Sequence, residues 1–338
     1  MKRYLLTSIL ITVSIIAASC NSATSATPTA SEAAVTLTPT STPSPLGSQT
    51  NPVTLGVISP SPDDPIMQAA DQLVQQIAAD SGLSVQARPF TNYQDMLVSM
   101  QAGQVSFAWM PAMTYIYANG VGLAEVSLLT NHFGVYQYGS RFYVNQDSGF
   151  TIYYNEDTGQ NTAIAAAALQ QLEGLRPCFT DEHSISGYVL PQGLFSQQET
   201  QLLPPVFTQS YTGTIRALYI RGICDFGVVY AYLGDPRTSS AVLNDLGDAM
   251  TRVVVLWQSE AVIPNTALVY HPDVQPEIRQ SINASLLTLA QTPDGIGLLS
   301  TVLEYDVQAL HGVDDSLYNP LRELMVAAGI NIEEQVGY

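Results

Sequence analysis

Lysine is nearly absent from this sequence, since Lys2 is the only lysine among eleven basic residues. Once Lys2 is removed with an N-terminal signal, the absence of lysine excludes a P-loop lysine, a Schiff-base lysine and a Ser-x-x-Lys hydrolase. Negative charge dominates instead, with 29 acidic residues and a formal net charge of -18. So acidic a chain is unsuited to general nucleic-acid binding, and solubility outside the cell is the simplest explanation of its charge.

Histidine is also scarce, and the four histidines are scattered along the chain: His132, His183, His271 and His311. None is part of a zinc-protease pattern, in which two histidines and a glutamate share one helix face. We therefore predict no metal site.

The first twenty residues, MKRYLLTSILITVSIIAASC, have the pattern of a secretory signal. Lys2 and Arg3 precede an apolar run from Leu5 to Ala18, and small residues stand just before Cys20. An uncleaved membrane helix is the alternative, but it needs about 20 apolar residues and this run is shorter. The segment resembles a bacterial lipobox, which implies a lipid-modified Cys20 and an extracytoplasmic protein anchored to the membrane.

The stretch that follows, residues 21–51, is rich in Ser, Thr, Pro and Ala and carries one charge, Glu32. Such a composition buries too little apolar surface to offset the entropy of ordering, so we predict a disordered tether.

Two cysteines, Cys178 and Cys224, remain if Cys20 carries the lipid. Each lies at the end of an apparent strand, and two cysteines in an exported domain indicate one disulfide. We predict a bridge between them.

Strand and helix patterns alternate from residue 52 onward. VTLGVIS is typical of a buried strand, and the next helix is predicted to begin with Asp64 as N-cap and Pro65, and to end at Gly82. Its predicted buried face consists of Ile66, Ala69, Leu73 and Ile77. The alternation predicts an α/β fold with largely parallel strands, and only helices are expected after AVIPNTALVYH.

About 285 residues suffice for two lobes. We predict that residues 52–145 and 258–338 form lobe 1 and residues 146–257 form lobe 2. Two crossings between the lobes would leave a ligand cleft at the carboxyl ends of the strands.

The stretch HSISGYVLP, residues 183–191, stands between an apparent strand and an apparent helix. Hydroxyls and free N–H groups at a helix start can hold an anion, and Gly187 permits close approach of the backbone. Alternatively, Ser184 or Ser186 is only a helix cap, or a nucleophile beside His183. The Gly-x-Ser-x-Gly elbow of serine hydrolases is absent.

Seven stretches, in this order and spacing, carry a resemblance to a known family: VTLGVISPSPD, TNYQDMLVSMQAGQVSFAWM, YGSRFYVNQDSG, DEHSISGYVLP, YTGTIRALYIRGICDFG, VIPNTALVYHPDV and YNPLREL. On these stretches the chain resembles the phosphonate and phosphite binding proteins of ABC importers. The resemblance implies a two-lobed, type 2 periplasmic-binding-protein fold without enzymatic activity or cofactor. It implies capture of a phosphonate, phosphite or phosphate and delivery to an ABC permease.

The resemblance also implies site residues. Ser184, Ser186 and the N–H groups of Ile185 and Gly187 would hold the oxyanion. Tyr93 and Tyr138 match tyrosines that face the ligand in the family, or else are core aromatics of the cleft. Where the family has a histidine before a helix, this chain has Tyr211 and Thr212, one of which would substitute.

Some members of the family carry an acidic residue after Ile-Pro that pairs with a ligand amine. Here Asn265 stands at that position, which disfavours an aminoalkylphosphonate. A different small ligand, a sensor role, and a secreted serine hydrolase are the alternative functions.

Overall fold

Regular structure begins at Val53 in the computed structural model, which describes residues 44–337. The predicted signal peptide, Cys20 and the predicted tether up to residue 43 lie outside the described residues. The strands of the described chain are β1 (Val53–Ile58), β2 (Val85–Phe90), β3 (Phe107–Met110), β4 (Glu125–Asn131), β5 (Gln137–Asn145), β6 (Tyr154–Asn155), β7 (Gln160–Asn161), β8 (Pro177–Phe179), β9 (Val206–Phe207), β10 (Phe226–Ala231), β11 (Val253–Gln258), β12 (Ile263–Pro264), β13 (Ala267–Tyr270) and β14 (Ala309–Gly312).

The helices connect these strands and cover the sheets. They are α1 (Pro65–Ser81), α2 (Tyr93–Gln101), α3 (Ala112–Gly120), α4 (Ala165–Gln170), α5 (Leu190–Gln197), α6 (Tyr211–Ile220), α7 (Ser240–Leu243), α8 (Ala249–Arg252), α9 (Pro276–Leu289), α10 (Pro293–Leu303) and α11 (Asn319–Ala328). Among residues 44–337, no helix combines the length and the hydrophobicity that a membrane span requires.

The predicted alternation of strands and helices from Val53 to Gly120 is confirmed, and α1 shows why it could be predicted. The Asp64 carboxylate accepts a hydrogen bond from the N–H of Ile66, at 2.9 Å, and Pro65 occupies the first turn. Gly82 ends the helix with φ of 72°, a conformation that favours glycine. The four predicted core residues, Ile66, Ala69, Leu73 and Ile77, are all buried.

The first sheet has the strand order β14-β4-β13-β3-β1-β2. Only the pairs β1–β2 and β1–β3 are parallel, whereas β13 runs antiparallel to β3 and β4, and β14 runs antiparallel to β4. The prediction of largely parallel strands is therefore wrong for this sheet, because β13 inserts between β3 and β4 in the reverse direction. The expectation of helices alone after β13 is also wrong, since β14 forms the sheet edge.

The second sheet has the order β11-β5-β10-β8-β9. Its strand β5 pairs antiparallel with both β10 and β11, so Gln137–Asn145 belongs to this sheet, although the sequence division placed these residues in lobe 1. We use "first lobe" and "second lobe" below for each sheet with the helices packed on it.

The N-terminal end of the described chain packs on the first lobe. The Gly47 N–H donates to the Asn51 carbonyl at 2.8 Å, and the Ser84 N–H donates to the Gly47 carbonyl at 2.7 Å. Leu46 packs against the core that β1 and α1 share. Residues 44–51, which the predicted tether includes, are therefore part of the folded domain.

Two chain segments, near residues 132–136 and 259–266, cross between the sheets, and hydrogen bonds join these crossings. The side-chain amide of Asn265 donates to the carbonyls of Thr130, at 3.2 Å, and Val135, at 2.8 Å. The N–H and hydroxyl of Thr130 both donate to the Thr266 carbonyl, at 3.1 and 2.8 Å. These bonds hold the two crossings side by side.

A second contact between the lobes is formed by α5 and α11. Val189 and Leu190 share one hydrophobic cluster with Leu321 and Leu324 of the C-terminal helix. Gly193 allows the close approach, because a Cβ there would lie 2.5 Å from the Leu324 carbonyl oxygen. Helix α5, which follows the turn at residues 184–187 (the Ser184 turn), thus packs against the other lobe.

Candidate functional site

The turn between β8 and α5 contains the predicted anion-binding residues. Ile185–Val189 form one π-helical turn, and α5 continues from it. The Ser184 hydroxyl accepts from the Gly187 N–H at 3.0 Å, so Ser184 caps the helix. In the described part of the chain, the N–H groups of Ile185 and Ser186 have no hydrogen-bond acceptor.

This geometry corrects the predicted set of donors. The Gly187 N–H was expected to face an anion, but the cap bond to Ser184 already uses it. The N–H of Ser186 takes its place because it lies in the first turn of the helix, where helical partners are missing. The turn therefore offers the N–H groups of Ile185 and Ser186.

Tyr211 lies directly beside both serines. Its hydroxyl is 3.2 Å from the Ser184 hydroxyl and 3.3 Å from the Ser186 hydroxyl. The ring packs edge-on against Tyr230, with the centroids 4.7 Å apart. Ser186 is only 1% exposed, and its carbonyl accepts from the Ser140 hydroxyl at 2.6 Å. Three hydroxyls thus converge at the start of α5.

Thr212, the other predicted substitute for the family histidine, is placed differently. Its hydroxyl is 3.4 Å from the hydroxyl of Ser210, which caps α6 by accepting from the Gly213 N–H. In the described chain, no hydrogen bond joins Thr212 to the Ser184 turn. Of the two candidates, the structure brings Tyr211 to the serines and leaves Thr212 at the cap.

A cavity of about 180 Å³ lies between the lobes. Residues of both lobes line it, among them Ala112, His132, Tyr138, Ile185, Asn265, Thr266 and Tyr305. Two helix starts meet there, since Ile185 begins the π-helical turn and Ala112 begins α3 without a side-chain cap. The lining described here includes no arginine or lysine.

Burial raises the pKa of Tyr138, and proximity to Tyr211 and Tyr305 raises it further. Its phenol therefore stays neutral and can donate a hydrogen bond. The Tyr305 hydroxyl is within hydrogen-bond distance of the Thr130 hydroxyl, at the crossing between the lobes. The cavity walls thus offer neutral donors.

Tyr93 lies in a different cavity, of about 250 Å³, which contains residues of the first lobe. Burial raises the pKa of Tyr93, so its phenol is also neutral. The structure therefore does not place Tyr93 in the same cavity as Tyr138. Thr266 lines both cavities and stands between them.

Asn265 lines the cavity between the lobes, but both hydrogens of its amide are used by the Thr130 and Val135 carbonyls. It is 6% exposed. The neighbouring residue Thr266 was missed by sequence reasoning, as was Tyr305. Adjacency to Asn265 was the only available signal for Thr266, and Tyr305 lies in no motif.

The Ser184 hydroxyl, the alternative nucleophile, serves as a helix cap: it accepts from the Gly187 N–H and lies 3.2 Å from the Tyr211 hydroxyl. The backbone N–H of the adjacent His183 donates to the Asp181 carboxylate at 2.9 Å. Across residues 44–337, no group of three or more His, Cys, Asp or Glu side chains is placed to hold a metal ion.

Comparison with known proteins decides the family. A family model described as "ABC transporter, phosphonate, periplasmic substrate-binding protein" matches residues 55–318. The chain belongs to this family. A search of curated proteins gives no significant match.

Solved structures of other proteins are similar to this chain. XAC2383 from Xanthomonas citri bound to chloride ion has a TM-score of 0.55 and 16% identity, and the match covers 84% of this chain and 99% of that one. The same protein bound to ATP gives a TM-score of 0.55 at 15% identity, with coverages of 84% and 98%. PhnD1 from Prochlorococcus marinus in complex with methylphosphonate gives 0.49 at 14% identity, with coverages of 80% and 96%.

Family membership settles the class of this substrate-binding protein. The two predicted α/β lobes with a cleft between them are present, as expected of a periplasmic substrate-binding protein. The family serves transport and is not an enzyme family, so the prediction of a non-enzyme is confirmed. The protein captures a small solute outside the cytoplasm and works with an ABC permease, as its family does.

Proposed function

We propose that this substrate-binding protein captures a phosphorus oxyanion, a phosphonate, phosphite or phosphate, in the cavity between the lobes. The convergence of two helix starts on a cavity without arginine or lysine carries this proposal. Helix N-termini present free N–H groups and a favourable dipole to an anion. Neutral donors of this kind hold an anion inside a protein whose net charge is negative.

The donors we assign are the hydroxyls of Ser184, Ser186 and Tyr211 and the N–H groups of Ile185 and Ser186. Of these residues, Ile185 lines the cavity, Ser184 and Ser186 flank Ile185 in the chain, and Tyr211 contacts both serines. Tyr138 of β5, which also lines the cavity, adds a neutral phenol. The amide of Asn265 is assigned to the crossing rather than to the ligand, because its two hydrogens are already donated.

Lobe closure would deliver the ligand. We place the two crossings near residues 132–136 and 259–266, since β5 and β11 belong to the second sheet. A ligand that contacts both lobes favours the closed state, which the permease then recognises. Lipid modification of Cys20 would hold the domain near the membrane through the tether.

Calorimetric titration tests the ligand class. The full-length chain, freed of carried-over ligand by unfolding and refolding, is titrated with phosphate, phosphite, methylphosphonate, aminoethylphosphonate and sulfate. We expect micromolar or tighter binding of at least one phosphorus oxyanion. If a protein shown to be folded by circular dichroism binds none of these ligands, the proposal is wrong.

Gly187→Ala should lower affinity for the bound oxyanion at least tenfold. The added Cβ would lie 2.3 Å from the Thr180 hydroxyl and 2.7 Å from the Ser184 hydroxyl, so the turn must shift. A shift of that size misplaces donors that need hydrogen-bond distances of about 2.7–3.2 Å. Titration of the variant measures the loss.

Gly297→Ala is the matched control, because it lies in α10 and a Cβ there meets no atom within 4 Å. Its affinity should equal that of the wild type. Equal affinities in both variants would show that the anion does not use the turn.

A further inference from the structure

The cavity of about 250 Å³ in the first lobe has no role in holding the oxyanion as assigned above. It opens at the carboxyl ends of β1 and β3, beside the start of α2. Among the residues that line it are Val57, Tyr93, Trp109, Thr266 and Glu304. Thr266 also lines the cavity between the lobes, so the two cavities share one wall residue.

Trp109 lines this cavity, and its indole carries an unsatisfied donor that must turn toward the cavity to meet a ligand, because the Nε1 atom exposes less than 1 Å². The residue is 5% exposed, and its indole Nε1 has no hydrogen-bond partner within residues 44–337. A buried indole N–H normally finds an acceptor, and an exception calls for an explanation. A ligand group with an acceptor oxygen would supply the partner.

Glu304 gives the cavity its charge. It is exposed, and it is the one charged residue among those that line this cavity in the described chain. Its backbone has φ of 54°, a conformation uncommon for a residue other than glycine. A carboxylate at this position disfavours a second negative charge on the ligand and can accept a hydrogen bond from a hydroxyl.

We propose that this cavity receives the organic substituent of the ligand, and that the preferred ligands are hydroxylated organophosphonates or phosphate monoesters without a second anionic group. A hydroxyl can accept from the Trp109 indole and donate to the Glu304 carboxylate. Tyr93 and Trp109 supply apolar ring surface for the carbon chain. The inference rests on the proposed function, because it takes the oxyanion to be held at the Ser184 turn.

Matched ligands test this selectivity. The full-length protein is titrated with phosphite, ethylphosphonate, 2-hydroxyethylphosphonate and phosphonoacetate. We expect 2-hydroxyethylphosphonate to bind about tenfold more tightly than ethylphosphonate, as one net hydrogen bond allows, and phosphonoacetate to bind most weakly of the substituted ligands. In Trp109→Phe, 2-hydroxyethylphosphonate and ethylphosphonate should bind with equal affinity, so that the advantage of the hydroxyl vanishes. In Glu304→Gln the discrimination against phosphonoacetate should shrink.

Tryptophan emission provides a readout that does not depend on affinity. The sequence has two tryptophans, so Trp257→Phe leaves Trp109 as the single reporter. At saturation, 2-hydroxyethylphosphonate should change Trp109 emission more than phosphite does. In the control variant Trp109→Phe, Trp257 reports from the second-lobe core, and the two ligands should give equal changes.

The outcomes separate this inference from the proposed function. If no phosphorus oxyanion binds the wild type, both are wrong. If phosphite and ethylphosphonate bind but 2-hydroxyethylphosphonate gains nothing, and Trp109→Phe changes no affinity, the oxyanion site stands and the substituent cavity is wrong.

Discussion

Replacing Ser184 and Ser186 together by alanine is expected to weaken oxyanion binding by roughly 10²- to 10⁴-fold. A hydrogen bond to a charged group contributes about 1.5–3 kcal/mol, so loss of two costs about 3–6 kcal/mol. Calorimetry on the double variant with the tightest ligand of the wild type measures the effect. Unchanged affinity would contradict the assignment of the anion to this turn.

The controls must separate binding from folding, because the two serines differ in structural role. Ser184 caps the helix, and its replacement costs about 1 kcal/mol of stability, whereas Ser186 has no cap bond. Ser196→Ala is a matched control on the same helix, since Ser196 is exposed and lies beyond the turn. Melting curves of all variants show whether each is folded at the temperature of titration.

The parts of the fold that could be predicted are those with a local cause. Helix α1 carries its N-cap, its buried face and its terminal glycine within one short stretch, and each follows from the properties of single residues. The strand β14 could not be found in this way. It is four residues long, and its position depends on pairing with β4, which lies far away in the sequence.

The candidate site shows the same difference between residues with a local signal and residues that only the fold brings together. The Ser184 turn is contiguous in sequence, so a motif identified it, and Tyr211 followed from the family pattern. The free N–H of Ser186 could not be foreseen, because it depends on which backbone groups the cap consumes. Trp109 lies in β3 and Thr266 stands just before β13, and only the assembled sheet brings them to one cavity.

The acidity of the chain and the chemistry of the cavity are compatible because they act over different distances. A net charge of -18 repels an anion at long range, and salt screens that repulsion beyond about 10 Å. Inside the cavity, N–H groups and hydroxyls donate at hydrogen-bond distance, where the local dipoles dominate. The proposed capture of an anion therefore requires no basic residue in the cavity lining.

Removing the bridge between Cys178 and Cys224 is expected to lower the free energy of unfolding by up to about 4 kcal/mol, or about 10 °C in Tm. The predicted bridge is present: it joins Cys178 of β8 to Cys224, two residues before β10, with the Cα atoms 5.6 Å apart and a sequence separation of 46. A closed loop of that length restricts the unfolded chain and thereby stabilises the folded one. Thermal melting of Cys178→Ala with Cys224→Ala measures the change, and alanine suits both positions because both are buried.

Removing the bridge should change ligand affinity much less than it changes the stability of the domain. Strand β8 leads into the Ser184 turn and remains paired with β10 and β9 in the variant, so the turn keeps its place while the domain is folded. We expect the affinity to stay within about threefold, as backbone pairing rather than the bridge positions the donors. Wild type treated with reductant should melt like the double variant. An unchanged Tm would show that the bridge does not stabilise the domain, and a large loss of affinity at full folding would show that it positions the turn.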